Sequence, residues 1–428
     1  MKDLQKNTTF YKKIKNFFIP FYRSADIREL FHILEKKKQK DEEVAMFVGG
    51  CVRKFLNSEI IDDIDIATIF TPEDLKEKLA DSNFKIIDTG LEHGSITVLI
   101  NSNKFEITTL RKDIKTDGRH AEILFTDSWK QDSERRDFTI NAIYMDRRGK
   151  IYDPQNGKED LKKKEINFIG DASTRIEEDY LRIIRYIRFC IQYNVKYSNP
   201  KIINAIKLHL NGIKNLSKER VLNELYKIFQ LKKINTLLEN KEIQNIFLLI
   251  FPEFKYLERL NKLLYLSKNR KISQNHALIY SILLVDTKDN YEYFCHKYKV
   301  SNQLKKDLAY IANNYVRFKG EKNFFKKDLK RNIYYLKKEN IELLLIFFYC
   351  AELKFSDKLL NNLLNKIDKI EVPIFPFNGQ FLLKQSLTEG KKIGLALEKL
   401  EKEWIEKDFY LKVEEVSFII NKIKKLNI

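Results

Sequence analysis

Residues 44–65 decide the fold, and they read VAMFVGGCVRKFLNSEIIDDID. An apolar run typical of a buried strand ends at the glycine pair Gly49-Gly50, and a second run begins among acids that include Asp63 and Asp65. Alternate residues of a strand point to one face, so these two carboxylates should lie side by side. The stretch therefore predicts two strands, a glycine turn and a pair of acids close to it.

The acid pair is suited to binding divalent cations, because two carboxylates on one face can hold one ion or bridge two. Two-metal nucleotidyl transfer needs such a pair. A solvated turn is the alternative, and Asp62 beside the pair favours it. The glycine pair favours the catalytic interpretation, because its backbone N–H groups can approach a phosphate and Arg53 can add a bidentate contact. An ordinary turn between a strand and a helix is the alternative reading there.

Outward from this stretch, residue patterns predict a small mixed domain and then a long helical region. Ser24 is a candidate N-cap for a helix to about Lys38, and a helix is expected near Pro72–Leu79. Helical periodicity dominates from Glu177, and Pro373 with Pro376 marks a break before a last helical segment. Short strands are expected at Val44–Val48, Ile64–Thr68, Ser95–Ile100, Phe105–Leu110 and Thr139–Met145.

Length and composition indicate a helix-rich protein of two to four domains. The chain has 428 residues, 43% of them hydrophobic, with only 13 glycines and 7 prolines. Its four cysteines show no metal-ligand or disulfide spacing, which favours a reducing compartment. No apolar run reaches the ~20 residues of a membrane span. We expect a cytoplasmic protein without a membrane, with a mitochondrial address as the alternative.

The charge pattern suggests a polyanionic partner. The formal net charge is +19, and most of the excess falls in residues 231–428. Such an excess favours docking of a nucleic acid on the second half of the chain. A general richness in lysine is the alternative, and charge alone leaves a membrane surface open as well.

Three later motifs complete the pattern. They are Arg135–Ala142, which reads RRDFTINA, then Asp153-Pro154 with Gly157 and Asp160-Leu161, and then Glu178–Arg182, which reads EDYLR. In this order the motifs resemble the superfamily of class II (CCA-adding) tRNA nucleotidyltransferases and bacterial poly(A) polymerases, over about residues 44–230. The resemblance implies an α+β polymerase-β-type head followed by an all-helical neck, body and tail. The implied limits are a basic leader at 1–24, head at 25–168, neck at 169–230, body at 231–320 and tRNA-binding tail at 321–428.

The resemblance also implies roles for individual residues. Asp63 and Asp65 would be catalytic and would bind Mg²⁺. Glu106 is a candidate third carboxylate, or else a support that orients Arg111 or Arg53. No histidine is needed, and no stable protein partner is expected. The residues implied to bind the nucleotide are Gly49, Gly50, Arg53, Arg136, Asp137, Asp179, Arg182, Arg185 and Arg188.

Asp179 and Arg182 form a plausible base-reading pair. Cytosine and adenine both present an amino donor beside a ring-nitrogen acceptor, which a carboxylate and a guanidinium complement. Guanine and uracil present the reverse order and would leave buried groups unpaired. One pair of side chains can thus accept CTP and ATP and refuse GTP and UTP.

The implied activity is addition of C, C and A to the 3′ end of tRNA from CTP and ATP, with release of pyrophosphate. The alternatives are a poly(A) polymerase, an enzyme that adds only A or only CC, and an inactive RNA-binding protein. The segment 111–134 resembles the family's flexible loop. Asp117–His120 and the C-terminal residues 373–404 resemble bacterial short-form members, which favours CCA addition. No His-Asp doublet is present, so we expect no phosphohydrolase activity.

Overall fold

The computed structural model describes residues 20–36, 39, 42–116, 121–269, 276–320, 324–326, 328–387 and 390–426. They form two compact units, one ending at Pro252 and the other beginning at Glu253. The first unit contains all the strands that the structure describes, and the second is helical, which confirms the predicted fold class. The finer limits at residues 24, 168, 230 and 320 stay predictions. Most of the basic leader and Asp117–His120 lie outside the described residues.

A mixed sheet lies at the centre of the first unit. The strands are β1 (Ala45–Val48), β2 (Ile64–Thr68), β3 (Lys85–Gly90), β4 (Ser95–Ile100), β5 (Asn103–Thr109), β6 (Arg111–Thr116), β7 (Ala121–Phe125), β8 (Tyr144–Met145) and β9 (Ile151–Tyr152). The sheet order over the described residues is β3-β4-β5-β2-β1-β8-β9. Strands β2 and β5 run parallel, and the other neighbours are antiparallel. The strand predictions at β2 and β4 are confirmed residue for residue.

Burial explains why β1 and β2 meet beside the acid pair. All four residues of β1 are buried, so this strand lies in the middle of the sheet. Strand β2 starts half-buried at Ile64 and Asp65 and is buried from Ile66 onward. The acids therefore sit at the open end of a strand whose other end is anchored in the core.

The prediction of a strand over Thr139–Met145 is wrong for its first part. Residues Thr139–Asn141 form a 3₁₀ turn, and only Tyr144–Met145 is a strand. The amide of Ala142 donates to the carbonyl of Thr139 at 3.0 Å, and a local bond of this kind closes a turn. Gly157 packs against the turn so closely that a Cβ there would lie 2.1 Å from the Thr139 carbonyl oxygen. Buried apolar residues suit either structure, so their pattern alone could not separate turn from strand.

The segment predicted as a loop over 111–134 contains regular structure. Strands β6 and β7 pair as a separate two-stranded hairpin, with Arg111 opposite Phe125. A short helix, α4 (Trp129–Glu134), follows it. Gly94 has a φ of +70°, and the Phe125 ring packs over it where a Cβ would be 2.6 Å away. The base of the hairpin is therefore packed against the main sheet.

Two helices of the first unit that the sequence predicted begin at side-chain caps. Ser24 caps the first helix, which ends at Leu34, short of the predicted Lys38. Thr71 and Asp74 form a capping box at the start of the predicted helix Pro72–Leu79. The helices besides α4 are α1 (Ala25–Leu34), α2 (Gly50–Leu56), α3 (Pro72–Leu79), α5 (Gly157–Lys163), α6 (Ala172–Glu178), α7 (Leu181–Tyr193), α8 (Pro200–His209), α9 (Lys218–Phe229), α10 (Thr236–Glu239) and α11 (Lys241–Ile250).

The second unit contains helices throughout its described part. The predicted break at Pro373 and Pro376 falls between a helix that ends at Lys369 and one that begins at Gly379. No helix of the described residues is long and apolar enough to cross a membrane. The helices are α12 (Arg259–Asn269), α13 (His276–Leu284), α14 (Asn290–Tyr298), α15 (Asn302–Gly320), α16 (Leu329–Leu336), α17 (Lys338–Ala351), α18 (Asp357–Lys369), α19 (Gly379–Lys384), α20 (Lys391–Glu406) and α21 (Val413–Lys424).

Candidate active site

A polar cavity of about 730 Å³ lies within the first unit. Its wall brings together residues that are far apart in the chain, from the glycine turn, the start of β2, the RRDFTINA motif, α7 and α9. Every predicted site residue except Glu106 lines it. The lining residues are Gly49, Gly50, Arg53, Asp63, Asp65, His93, Arg111, Asp113, Arg135, Arg136, Asp137, Asn141, Glu178, Asp179, Leu181, Arg182, Arg185, Arg188, Phe189, Arg220 and Lys227.

The glycine turn lies directly against the acid pair. Gly49 has a φ of +70°, which favours glycine, and a Cβ on it would lie 3.8 Å from Asp65 Oδ2. The single S–H of Cys51 is shared between the carbonyl oxygens of Val48 at 3.3 Å and of Asp65 at 3.5 Å. Because burial raises the pKa of Cys51 to about 12, the thiol stays protonated and can keep donating. The Cys51 thiol therefore links the glycine turn to the backbone of β2.

The carboxylate of Asp65 is destabilised in its charged form. Burial, followed by the charge of Glu106, raises the pKa of Asp65, while Arg136 and Arg53 act in the opposite direction. Glu106 lies opposite Asp65 in the parallel pair of β5 and β2, but it is exposed and does not line the cavity. Mutual repulsion between acids is typical of sites that bind cations, because a cation relieves it.

The chemistry of the two acids fits a metal ion that also binds substrate. Among the described residues, no three or more His, Cys, Asp or Glu side chains are grouped closely enough to hold a metal by themselves. Asp63 and Asp65 would supply two carboxylates from one wall of the cavity. Mg²⁺ is commonly bound in this way, by one or two carboxylates with waters and substrate phosphates completing its shell.

Asp137 lines the cavity, where it is held ionised and fixed in position. Its Oδ2 accepts from Nε of Arg185 at 2.7 Å, and its Oδ1 accepts from Nδ2 of Asn141 at 2.6 Å. Burial alone would raise the pKa of Asp137, but Arg185 and Asn141 hold it at about 2. Asn141 also accepts from Arg53, whose Nε donates to the Tyr193 hydroxyl at 3.1 Å. These contacts join the glycine turn, the RRDFTINA motif and α7.

Asp179 and Arg182 lie at the junction of α6 and α7, and each has a protein partner. Arg182 donates to Glu178 and to the carbonyl of Arg175. Asp179 Oδ2 accepts from Arg220 at 2.7 Å, and its Oδ1 accepts from the backbone N–H of Leu181 at 3.1 Å. The carboxylate of Asp179 is therefore held in one orientation at the cavity wall.

Helix α9 supplies site residues that the sequence analysis missed. Arg220 contacts Asp179, and one turn further along the helix the buried Glu224 accepts from Arg188 Nε at 2.6 Å and from Lys227 at 2.9 Å. Opposite charges at i, i+4 on a helix, as in Arg220 and Glu224, were the available signal. Such charge pairs are common on solvated helices, so the pair did not identify Arg220 and Glu224 as residues of the site.

Arg111 lies at the base of the β6–β7 hairpin and also lines the cavity. Its guanidinium donates to the carbonyl of His93, and Asp113 lies 3.7 Å away. Burial, followed by the charge of Arg135, lowers the pKa of Arg111 to about 10. That Glu106 orients Arg111 or Arg53 stays a prediction.

Comparison with known proteins places the chain among enzymes of tRNA 3′-end synthesis. The family model described as "Poly A polymerase head domain" matches residues 45–167. Human "CCA tRNA nucleotidyltransferase 1, mitochondrial" is 31% identical, covering 98% of this chain and 95% of the human protein. The "CCA-adding enzyme" of Streptococcus pyogenes serotype M5 is 31% identical, covering 88% and 92%. That of Streptococcus uberis is 39% identical over about half of each chain, 48% and 50%.

Solved structures share the fold. The Bacillus stearothermophilus CCA-adding enzyme in complex with CTP has a TM-score of 0.67 at 22% identity, covering 93% of this chain and 98% of its own. The Thermotoga maritima CCA-adding enzyme complexed with tRNA_CCA has a TM-score of 0.64 at 20% identity, covering 94% and 97%. At about 20% sequence identity, these similarities show a shared fold.

Proposed function

The chain belongs to the family of CCA-adding tRNA nucleotidyltransferases, and from that membership we propose that the cavity of the first unit is its catalytic site. The enzyme adds C, C and A to the 3′ end of tRNA from CTP and ATP. One observation supports this position of the catalytic site. The acid pair, the arginines and the Asp179–Arg182 junction all line one cavity.

We propose that Asp63 and Asp65 bind Mg²⁺ in this cavity. The family is metal-dependent, and the choice of ion rests on the carboxylate donors, which suit a hard divalent cation. When bound, such ions activate the attacking 3′-hydroxyl and neutralise the pyrophosphate that leaves. The protein's own contribution is positional and electrostatic, because phosphoryl transfer of this kind needs little covalent chemistry from side chains.

The remaining lining residues are proposed to bind and select the nucleotide. The backbone of Gly49 and Gly50 leaves room for phosphate oxygens, and Arg53 and Arg136 face the same space. Asp137 suits the ribose, since its fixed carboxylate can accept from a hydroxyl group. Asp179 and Arg182 are proposed to read the Watson–Crick edge of the base, with Arg185 and Arg188 completing the pocket.

The helical second half is proposed to bind tRNA. The resemblance assigns tRNA binding to residues 321–428, and most of the net charge of +19 lies beyond residue 230. Binding of this kind depends on phosphate contacts and on the shape of the RNA more than on its sequence. A cytoplasmic location also stays a proposal.

Repeated addition of A is the second candidate, because the matched family model is that of a poly(A) polymerase head. One assay separates the candidates. A tRNA lacking its last three nucleotides is incubated with each nucleoside triphosphate singly and with all of them together, and the 3′ ends are sequenced.

CCA addition predicts that CTP alone yields a CC end, that CTP with ATP yields CCA, and that extension then stops. UTP and GTP alone should leave the tRNA unextended. A tail of many A residues would favour the poly(A) candidate. An end that stops at CC in the presence of ATP, or A added only to tRNA already ending in CC, would identify a partial enzyme.

A further inference from the structure

A buried carboxylate that the proposed mechanism does not use lies behind the cavity wall. Asp132 on α4 has a relative exposure of 0% and does not line the cavity. Its Oδ1 accepts from Arg135 Nε at 2.8 Å, and its Oδ2 accepts from Arg136 Nη2 at 2.9 Å and from the Tyr144 hydroxyl at 2.6 Å. Asp132 thus binds two adjacent arginines through different oxygen atoms.

Both arginines held by Asp132 do line the cavity. The Arg136 guanidinium is near enough to Asp65 for its charge to lower the pKa of that acid. Arg136 also donates to the Tyr144 hydroxyl at 3.1 Å and lies over the Tyr144 ring, 5.3 Å from its centre. The guanidinium is therefore fixed by Asp132 and Tyr144, and it lines the same cavity as the acid pair.

We propose that Asp132 is a positioning residue that orients Arg135 and Arg136 to bind the triphosphate of the incoming nucleotide. The inference rests on the proposed nucleotide-binding function of the cavity. Asp132 acts through the two arginines and does not touch the nucleotide. An arginine that is held in place loses less conformational freedom when it binds a phosphate, so the fixed pair binds more tightly than a mobile pair.

The charge of Asp132 matters as much as its position. Nine lysines and arginines line the cavity, and the acids that line it include Asp63 and Asp65. Without the buried carboxylate, only the acids that line the cavity would remain to balance the charge of Arg135 and Arg136. Burial alone would raise the pKa of Asp132, but Arg136 and Arg135 hold it far below its usual range, so Asp132 stays an anion.

The same carboxylate also reaches the base of the hairpin. The backbone N–H of Arg111, the first residue of β6, donates to Asp132 Oδ1 at 3.3 Å. Asp132 therefore accepts from three parts of the chain, namely the RRDFTINA motif, β8 and β6. A purely structural role would be an adequate explanation for these contacts, so the test must separate folding from phosphate binding.

The test compares Asp132→Asn with Asp146→Asn. Asp146 is a matched control in the same unit. It is 5% exposed, does not line the cavity, and accepts from the backbone of Arg148 at 2.9 Å and of Lys150 at 2.8 Å. The probe is tripolyphosphate with Mg²⁺, whose dissociation constant is measured by calorimetry below the melting temperature of each variant.

We expect Asp132→Asn to weaken tripolyphosphate binding about tenfold or more, because a neutral amide cannot accept from every donor and the arginines lose their fixed positions. Asp146→Asn should change the dissociation constant for tripolyphosphate less than about twofold, even if its melting temperature falls as much as that of Asp132→Asn. The preference for CTP and ATP over UTP and GTP should be unchanged in Asp132→Asn. Equal effects of the two variants on tripolyphosphate binding, or no effect of Asp132→Asn, would overturn the proposal.

Tyr144→Phe serves if Asp132→Asn does not fold. It removes the hydroxyl that contacts both Asp132 and Arg136 while leaving the buried ring in place. A weakening of about threefold for tripolyphosphate is expected, and unchanged binding would count against the proposal. Binding of tripolyphosphate requires no catalysis. The 3′-end assay on the unaltered enzyme therefore judges the proposed function separately.

Discussion

Asp63→Asn and Asp65→Asn are each expected to lower the rate of C addition by roughly 10³-fold or more. Ion binding supplies several kcal/mol of stabilisation to the developing charge, and each 1.36 kcal/mol is a factor of ten in rate. The amide keeps the size of the side chain but is a much poorer ligand. Single-turnover addition of one C to tRNA, at saturating CTP and Mg²⁺, measures the effect directly.

Asp62→Asn is the matched control for this prediction. Asp62 is the neighbour of Asp63, its side chain is 68% exposed, and it forms a surface ion pair with Lys54 at 3.1 Å. We expect its rate to stay within about twofold of the unaltered enzyme, since exposed ion pairs contribute little. Equal rate losses in Asp62→Asn and Asp63→Asn would indicate a general effect of charge near β2 and would contradict the assignment.

The stability of Asp65→Asn offers an independent check. Burial and the charge of Glu106 raise the pKa of Asp65, so its ionised form destabilises the folded protein at neutral pH. Replacement by a neutral amide removes that cost. The variant should therefore melt no lower than the unaltered enzyme, and its loss of rate should not come from unfolding.

Asp179→Asn is expected to have the second large effect, on the choice of nucleotide. The efficiency of CTP and ATP use should fall by about 10²-fold, and the preference for CTP over UTP should fall by a similar factor. The carboxylate can only accept a hydrogen bond, whereas the amide can present a donor, which suits the O4 atom of uracil. The measurement is kcat/KM for each of the four nucleoside triphosphates on tRNA ready for its first C.

Asp171→Asn provides the control with the same substitution. Asp171 caps α6, where its side chain accepts from Thr174, and it does not line the cavity. Asparagine is also a good N-cap, so neither stability nor selectivity should change. If Asp179→Asn prefers CTP over UTP as strongly as the unaltered enzyme does, Asp179 does not read the base.

The sequence predicted the parts of the site that depend on local periodicity. Asp65 is the second residue of β2 and Asp63 directly precedes this strand, and both line the cavity. The register of β2 with β5 brings Glu106 opposite Asp65. Arg182, Arg185 and Arg188 recur every three residues, so helical spacing places them in a polar stripe along α7. Arg185 and Arg188 are half-buried in this stripe, whereas Ile184 lies in the core.

The missed features depend on tertiary contacts. Asp132 lies in the polar stretch SWKQDSERRD, which is typical of an exposed helix, and its burial follows from contacts with Tyr144 and two arginines. Strand β3 was missed because it is mostly exposed and lacks a regular alternation of buried residues. The turn at Thr139–Asn141 was predicted as a strand. All three residues are buried, so no alternation of buried and exposed residues separates a turn from a strand there.

The most direct test of the central claim is a crystal structure with Mn²⁺ in place of Mg²⁺ and an unreactive CTP analogue. Anomalous scattering locates Mn²⁺ independently of the protein model. We expect a peak within coordination distance of the carboxylates of Asp63 and Asp65 and of the triphosphate, with the cytosine edge against Asp179 and Arg182. A peak elsewhere, or a nucleotide bound outside this cavity, would contradict it.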